Sequence, residues 1–355
     1  MKIFTQKAKW FISFACAAFL LSSTLTSCSN TDNGTNPPST TQSYNPMSAN
    51  KRVDLTKTID IQNRHTDELM AIDGVIGTGS GLNEGGLPAI YVFTKRANVA
   101  GIPATVEGTP TYVVNTGEIQ ARAFTGTYRS PMYSGVTVGN DKECAAGTIS
   151  CVVTKNNKKY LLSNNHVFAR ENAAKIGERI DQPGRYDAIP QCGPSGQVAS
   201  LSQFVPISFS RRSTNMVDCA ISEVTAGINW TSRTPPEVLP AVQYTPSSAP
   251  MAPAVGMNVM KTGRTTGFTT GGIGAINVTV NVSYGSGEVA TFVGQVYITT
   301  AGFSAAGDSG SLIVEYGQNG NPSPVALLFA GSANSTIANP ISSVLGALGV
   351  TIVSQ

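Results

Sequence analysis

The sequence predicts an all-β fold for most of the chain, and two observations carry that prediction. The 355 residues include 36 glycines and 20 prolines, which separate short runs rich in Val, Ile, Thr and Tyr, as in proteins built from many short strands. From about residue 130 onward these runs recur, at 149–154, 160–163, 217–224, 276–284, 293–299 and 312–315. Strands in such a series favour a sandwich or a pair of barrels.

The end of the chain changes from a strand pattern to a helical one. Four apolar residues recur at helical spacing soon after Pro340, namely Ile341, Val344, Leu345 and Leu348. This spacing predicts a short C-terminal helix whose apolar face packs on the body of the protein.

Composition sets limits on size and partners. With 41% hydrophobic and 13% charged residues, the chain can bury a sizeable core and is long enough for two domains. The net charge of +3 comes from 24 basic and 21 acidic residues, and no basic block follows the N-terminal segment. We therefore expect no nucleic-acid partner.

The N-terminus has the pattern of an export signal. Three lysines precede an apolar stretch at 11–21 that is too short to span a bilayer comfortably. The stretch leads to Leu-Thr-Ser-Cys, which resembles a bacterial lipobox. Residues 1–27 are therefore interpreted as a signal peptide and Cys28 as the lipidated first residue of an envelope protein exposed outside the cytoplasm. The alternative is a free cysteine beside an ordinary cleavage site.

Two different patterns follow before the strand-rich region. Residues 28–54 contain almost no aliphatic side chains and are predicted to be a disordered tether. Residues 55–125 predict a small α+β unit, with strand-like runs at 74–82, 89–94 and 111–114. Its predicted helix has Ile61, His65, Leu69 and Ile72 on one face. His65 is interpreted as a helix-face residue rather than a ligand or base.

A glycine-rich run at 77–81 superficially suggests a nucleotide loop. A turn follows the run instead of a helix N-terminus, so we reject a nucleotide site there. Whether the α+β unit is a pro-region that is removed or a permanent domain is left open. The position of the predicted lipid anchor before the unit favours a permanent domain, because removal of the unit would release the rest of the chain from the membrane.

Six cysteines are present, of which Cys16 and Cys28 fall in the N-terminal segment. The other four allow three disulfide connectivities. Of these, we predict a bond between Cys144 and Cys192, because Cys151 and Cys219 lie in apolar runs where buried thiols are common. No Cys-x-x-Cys pair supports zinc, and we expect neither a metal nor a cofactor.

The strongest chemical signal is Ala-Gly-Asp-Ser-Gly-Ser at 306–311, directly before an apolar run. A serine becomes a nucleophile when a base takes its proton, and the intermediate needs N–H donors for its oxyanion. Ser309 is the candidate nucleophile, and the backbone N–H groups of Gly307 and Ser309 are the candidate oxyanion hole. The alternative for the motif alone is a surface turn.

Few residues can complete such a site. His166 is the one histidine in the strand-rich region, at the end of a strand-like run. Asp218 lies in the apolar run Met-Val-Asp-Cys-Ala-Ile, where an unpaired charge is costly to bury, so it is the candidate that orients the imidazole. The other aspartates are less suitable: Asp181 and Asp187 flank a Pro-Gly turn, and Asp308 is inside the nucleophile motif.

The order His, Asp, Ser, with Ser-Asn-Asn-His-Val at 163–167 and Gly-Asp-Ser-Gly-Ser at 307–311, resembles the chymotrypsin-like serine peptidases. Within them, Lys-Thr-Gly-Arg-Thr-Thr-Gly-Phe at 261–268 and the segment at 276–285 are similar to the bacterial alpha-lytic protease and streptogrisin branch. The resemblance covers about 130–355. It implies two six-stranded barrels, with the active site of a serine endopeptidase in the cleft between them.

Some residues depart from that family's pattern. Val167 stands where a cysteine usually follows the histidine, and no Ile-Val-Gly-Gly activation terminus is visible. In the bacterial branch a basic residue at the position of Lys261 supports the oxyanion loop. The resemblance therefore implies an ion pair between Lys261 and Asp308.

The segments 301–305 and 327–332 resemble the walls of a substrate pocket. They contain no charge, and the candidate pocket residues are Phe303, Ser304, Phe329, Ala330 and Gly331. We expect a small or apolar side chain beside the cleaved bond of a protein or peptide substrate. Substrate backbone is expected to pair near Ala330 and Gly331. The competing hypothesis is a catalytically silent surface lipoprotein that uses the same scaffold for binding.

Overall fold

The computed structural model describes residues 53–119, 130–210, 212–235, 243–317 and 321–354. The predicted signal peptide, Cys28 and nearly all of the predicted tether lie outside these ranges. The helices are α1 (Thr56–Met70), α2 (Asn165–Phe168) and α3 (Ile341–Leu348). Within the described ranges, none of the helices combines the length and apolarity needed to cross a membrane.

The N-terminal unit consists of α1 and four strands, with α1 packed on β1 and β2. The strands are β1 (Val75–Leu82), β2 (Pro88–Thr94), β3 (Thr105–Val106) and β4 (Thr109–Asn115). On α1, Ile61 and Leu69 are buried against Val75, Ile90 and Val92, as the helical spacing predicts. Ile72 lies beyond the helix end. His65 is partly exposed and pairs with Glu68 and Glu107.

The first barrel has six strands. Seven labels are given for them, because β6 and β7 are the two halves of one bent strand. Its strands are β5 (Thr137–Asn140), β6 (Gly147–Thr148), β7 (Val152–Lys155), β8 (Lys158–Ser163), β9 (Arg179–Gln182), β10 (Gly196–Phe204) and β12 (Ala220–Val224). The strands pair in the order β7–β8–β12–β10–β9–β5–β6. Because β6 and β7 belong to one bent strand, the two ends of this order meet and the barrel is closed. A short strand, β11 (Thr214–Asn215), leaves it to pair with the second barrel.

The second barrel closes in the order β13–β14–β15–β18–β17–β16–β13. Its strands are β13 (Asn258–Gly263), β14 (Gly267–Ser283), β15 (Val289–Ile298), β16 (Leu312–Glu315), β17 (Pro324–Ser332) and β18 (Ser335–Pro340). A last strand, β19 (Thr351–Ile352), returns to β7. The predicted double six-stranded barrel is therefore confirmed.

Alternate residues of the strands face different cores. Leu161 points into the first barrel, whereas Leu162 points into a cluster shared by both barrels. The predicted C-terminal helix is present as α3, and its four apolar residues fill that shared cluster. The site residues between the barrels are thus held by packed elements on both sides.

The strands of the N-terminal unit continue the sheet of the second barrel. Strand β1 pairs antiparallel with β14, in register Gly77↔Val280 and Gly81↔Ala275. At Gly77 an added Cβ would lie 2.7 Å from Thr279 O. The glycine-rich run therefore permits a close strand contact, in agreement with the rejection of a nucleotide loop.

Candidate active site

His166 lies in α2, directly after β8, where the sequence predicts a strand running into a helical turn. The two preceding asparagines are buried and fix the surrounding backbone. Asn164 Nδ2 donates to Asp218 O at 2.8 Å, and Asn165 Nδ2 donates to Val205 O at 2.7 Å. Val167, which stands where the peptidases that the sequence resembles have a cysteine, packs in the core of the first barrel.

Asp218 is fully buried and lies two residues before β12, rather than inside the strand as predicted. Its Oδ2 is 2.6 Å from His166 Nδ1, and its Oδ1 accepts from His166 N at 3.2 Å. Tyr284 Oη also donates to Oδ2, at 2.9 Å. The buried charge is therefore satisfied by an imidazole, an amide and a phenol.

The environment of His166 favours the protonated ring. Burial alone would lower the pKa of His166, but the charge and hydrogen bond of Asp218 outweigh it, with smaller contributions from Glu171 and Glu143. The pKa is therefore raised above 6.5. Among the described residues, His166 Nε2 has no hydrogen-bond partner, so it does not bond to Ser309 in this conformation.

Ser309 lies in a loop whose peptides are held from two sides. Thr265 Oγ1 donates to Ala306 O, and Thr148 Oγ1 donates to Gly307 O, both at 2.6 Å. Gly307 has a φ of 98°, which favours glycine. Because N–H and C=O of a trans peptide point in opposite directions, the Gly307 N–H points away from Thr265. Ser309 is fully buried, and its Oγ donates to Phe329 O at 3.4 Å.

Asp308 is fully buried, and hydrogen-bond donors surround it. Its Oδ1 accepts from Thr265 N at 2.9 Å and Thr266 N at 3.2 Å. Its Oδ2 accepts from Thr266 Oγ1 at 2.6 Å and Ala305 N at 2.9 Å. The threonines of the β13–β14 turn are site residues that sequence reasoning missed, although they are part of the motif quoted for the resemblance.

The predicted ion pair is present, with Lys261 Nζ 3.5 Å from Asp308 Oδ2 and both side chains fully buried. Lys261 Nζ also donates to Gly267 O at 2.9 Å and to Thr266 Oγ1. Burial lowers the pKa of Lys261 to about 8, against the opposing attraction of Asp308. The ammonium therefore reaches Asp308 both directly and through the Thr266 hydroxyl.

Asp187 is predicted from the sequence to be an ordinary turn residue, but in the structure it belongs to a buried ion pair. It forms an ion pair with Arg264 in which both side chains are almost completely buried, with Arg264 Nε 2.8 Å from Asp187 Oδ2. Asp181 is also buried and pairs with Arg179. Asp187 belongs to the first barrel and Arg264 to the second, so this ion pair joins the two barrels. It lies beside the nucleophile loop, because Arg264 N donates at 3.2 Å to Thr148 Oγ1, which in turn bonds to Gly307 O.

The structure separates the candidate pocket residues. Phe303 is buried inside the second barrel, with Lys261 Nζ 5.8 Å from its ring centroid. Phe329 packs on Phe292 in another cluster, with ring centroids 4.6 Å apart. Ser304 remains near the backbone of Gly331, where an added Cβ would lie 3.4 Å from Ser304 Oγ. Thr336 is a further candidate pocket residue that the sequence did not indicate, since Ser304 Oγ lies 2.6 Å from its Oγ1.

The N-terminal unit reaches the same edge of the second barrel. Ser332 Oγ donates to Thr116 O at 2.6 Å, and Ser283 N donates to Ile119 O at 3.3 Å. Ile119 is buried in one apolar cluster with Tyr284, Phe329 and Ala330. The end of this unit therefore packs in the same apolar cluster as Phe329, whose carbonyl oxygen accepts from Ser309 Oγ.

The disulfide favoured by the sequence, Cys144–Cys192, is present with a Cα–Cα distance of 5.1 Å. Cys151 and Cys219 are buried free thiols, and burial raises the pKa of Cys151 to about 12. In the described ranges, no group of three or more His, Cys, Asp or Glu side chains is placed to hold a metal ion.

Comparison with known families gives a partial match. The model of a family described as the Nal1 C-terminal domain matches residues 237–339. This range includes Ser309 but neither His166 nor Asp218. No curated protein matches the sequence.

Solved structures of bacterial proteases are similar to this chain. A Nocardiopsis protease is 15% identical with a TM-score of 0.44, over 62% of this chain and 98% of that one. Protease A of Thermobifida fusca is 17% identical with a TM-score of 0.44, over 63% and 99%. A glutamic acid specific serine protease, described as using a histidine triad in substrate binding, is 22% identical with a TM-score of 0.44, over 62% and 100%.

With TM-scores of 0.44, these similarities do not decide the fold of this chain. The strand pairing of this chain is what defines the architecture, since both barrels close with six strands and a helix follows the second. The fold is therefore the chymotrypsin-like double β-barrel with a C-terminal helix.

Proposed function

We propose that this protein is a serine endopeptidase with His166, Asp218 and Ser309 as its catalytic triad. The observation that carries the proposal is the contact of 2.6 Å between His166 Nδ1 and a fully buried Asp218. It fixes the imidazole so that Nε2 is the ring nitrogen left for proton transfer. The missing bond from Nε2 to Ser309 is compatible with this role, because catalytic hydrogen bonds often form only with substrate present.

The proposed reaction proceeds through an acyl-enzyme. Ser309 Oγ attacks the peptide carbonyl carbon while His166 Nε2 takes its proton, and the N–H groups of Gly307 and Ser309 bind the oxyanion. The C–N bond then breaks as the imidazolium returns the proton to the leaving amine. Water then attacks the ester carbon while His166 Nε2 takes its proton, and the ester C–O bond breaks as the imidazolium returns the proton to Ser309 Oγ. Asp218 stabilises the imidazolium in both halves of the reaction.

The nucleophile loop is proposed to be formed before substrate binds. Asp308, with its four hydrogen bonds and Lys261, holds the residues preceding Ser309, while Thr148 and Thr265 fix the peptides around Gly307. Loss of one oxyanion donor typically costs about 3–4 kcal/mol of transition-state stabilisation. The buried side chains of this loop therefore support the proposed oxyanion hole.

A neutral substrate pocket is proposed near Gly331. The Ser304–Thr336 pair is polar but uncharged, so small or apolar side chains are expected beside the cleaved bond. The glutamate-specific protease is described as using a histidine triad. This chain has two histidines in all, so recognition of that kind is not available to it.

We further propose that the protein is exported and anchored by a lipid on Cys28, with the tether holding the barrels away from the membrane. The unit at 55–125 is either retained or removed on maturation, and its anchor position favours retention. N-terminal sequencing of the native protein separates these cases. A mature chain that starts near residue 130 would show that the unit is removed.

The proposed activity is tested by digesting casein with the full-length protein and its variants, with product peptides identified by mass spectrometry. Ser309→Ala should abolish cleavage. Ser311→Ala is the matched control, because it alters a buried hydroxyl two residues away that has no hydrogen-bond partner among the described residues. Cleavage that survives Ser309→Ala would overturn the proposal. Binding without cleavage would favour the silent lipoprotein.

A further inference from the structure

A tyrosine from the second barrel reaches the carboxylate of the first. Tyr284 lies at the end of the β14–β15 hairpin and is buried. Its Oη donates to Asp218 Oδ2 at 2.9 Å, the same oxygen that lies 2.6 Å from His166 Nδ1. The phenol and the imidazole therefore share one acceptor atom, and a change in one hydrogen bond alters the strength of the other.

The tyrosine ring is held in a defined position. Phe209 packs edge-on against it, with ring centroids 5.5 Å apart, and the His166 ring lies edge-on at 5.9 Å. Phe292 supports it from the hairpin, at 6.4 Å. These contacts surround the ring whose hydroxyl donates to Asp218.

The hairpin end is also attached to the segment that carries His166. Glu171, three residues after α2, accepts from Gly285 N at 3.1 Å and from Ser286 N at 3.3 Å. Glu171 itself has a φ of 55°, in the left-handed region. The hairpin end is thus bonded to the first barrel at two residues, Asp218 and Glu171.

We propose that Tyr284 is a positioning residue of the catalytic pair, whose hydroxyl holds the Asp218 carboxylate and weakens its attraction for the proton on His166. This inference rests on the proposed function for its effect on turnover, but not for its effect on the imidazole. The phenol does not ionise in this role, because burial and the Asp218 charge raise the pKa of Tyr284 well above 10.

The charges around the pair determine the sign of the effect. Asp218, Glu171 and Glu143 face His166 and raise its pKa, while burial opposes them. Asp218 itself faces His166, the Tyr284 hydroxyl and the neighbouring Cys219 thiol. Removing the hydroxyl leaves Asp218 with one donor fewer, so its remaining attraction for the imidazolium increases. The pKa of His166 should then rise.

The test is an NMR titration of the full-length protein labelled with ¹⁵N-histidine. The chain has two histidines, and a His65→Asn variant assigns their signals. Tyr284→Phe keeps the ring and should raise the pKa of His166. The acid dissociation constant of His166 should therefore fall about tenfold, as expected for the loss of one hydrogen bond to a charged group. Tyr91→Phe is the matched control, because it removes a buried tyrosine hydroxyl bonded to Leu82 O at 2.7 Å.

A second variant reports the opposite sign. Difluorotyrosine at position 284 donates a stronger hydrogen bond to Asp218, which weakens the attraction of Asp218 for the proton on His166. The pKa of His166 should therefore fall, and its acid dissociation constant should rise. This variant also tests the inference if Tyr284→Phe does not fold. An unchanged titration in both variants would overturn it.

Turnover separates this inference from the proposed function. If the wild-type protein hydrolyses peptides, Tyr284→Phe should reduce kcat/KM about tenfold and shift the acid limb of its pH profile upward. If the wild type is inactive but the titration shifts as expected, the proposed function fails and the inference stands. Hydrolysis with an unshifted titration would contradict the inference alone.

Discussion

Asp218 on the first barrel and Asp308 on the second are both fully buried carboxylates, yet their partners differ. Asp218 contacts a titratable imidazole, a phenol and one backbone amide. Asp308 accepts three backbone N–H groups and one hydroxyl, with the Lys261 ammonium 3.5 Å away. Two aspartates with the same exposure therefore have environments suited to different tasks.

The difference indicates which carboxylate is suited to the proposed proton transfer. The main partner of Asp218 can gain and lose a proton near neutral pH, so the pair can store the positive charge of a reaction intermediate. Asp308 is surrounded by donors that belong to the loop itself. Its hydrogen bonds hold the backbone before Ser309 and do not depend on a base.

Replacing Asp218 should give the largest loss of activity. Asp218→Asn keeps the size of the side chain but removes the charge and favours the wrong imidazole tautomer. We expect kcat/KM for a chromogenic peptide to fall about 10⁴-fold. The unfolding free energy, measured by urea denaturation, should change much less than the activity. A loss of less than tenfold would contradict the role assigned to Asp218.

Replacing Asp308 should affect folding as well as activity. Asp308→Asn leaves the buried Lys261 ammonium without its counter-charge, which typically destabilises a protein by about 3–5 kcal/mol. Urea denaturation measures this loss, and circular dichroism tests whether the fold is kept. Equal stability of the Asp308→Asn and Asp218→Asn proteins would remove the distinction between the two carboxylates.

Replacing Lys261 should have a smaller effect than replacing Asp308. Lys261→Met removes the ammonium but leaves the four hydrogen bonds to the Asp308 carboxylate, so kcat/KM should fall about tenfold. Lys261→Ala also opens a cavity and should fall further. The double variant with Asp308→Asn should be more stable than Asp308→Asn alone, since no unpaired charge remains. Wild-type turnover in Lys261→Ala would refute the proposed support of the oxyanion loop.

The pH dependence should show the smallest effect. Because the pKa of His166 is raised above 6.5, the acid limb of kcat/KM should have its midpoint above that value. Folded His166 binds its proton more tightly than unfolded His166. Its contribution to stability is therefore complete below about pH 6.5 and is lost as pH rises through the folded pKa. The stability difference between wild type and His166→Gln should accordingly shrink from pH 6 to pH 8.

The parts of the site that could be predicted are those with a local signal or few alternatives. The contact of His166 with Asp218 could be predicted because the chain has two histidines and because a charge in an apolar run needs a partner. The C-terminal helix followed from its period. The Lys261–Asp308 contact followed from resemblance alone.

The parts that could not be predicted depend on distant pairing. Asp187 looked like a turn residue because its partner Arg264 lies 77 positions away. Tyr284 reaches Asp218 across 66 positions. Phe303 and Phe329 were assigned to the pocket, but Phe303 in the turn before the nucleophile loop and Phe329 in β17 lie in two separate apolar clusters. The pairing of β1 with β14 likewise has no local signal.

The most direct test of the central proposal is covalent labelling of the full-length protein with a fluorophosphonate probe, followed by peptide mapping. The wild type should carry one probe on Ser309, and Ser309→Ala and His166→Ala should not be labelled. The Ser311→Ala protein should be labelled like the wild type. A folded wild-type protein without a label on Ser309 would contradict the proposal that Ser309 is an activated nucleophile.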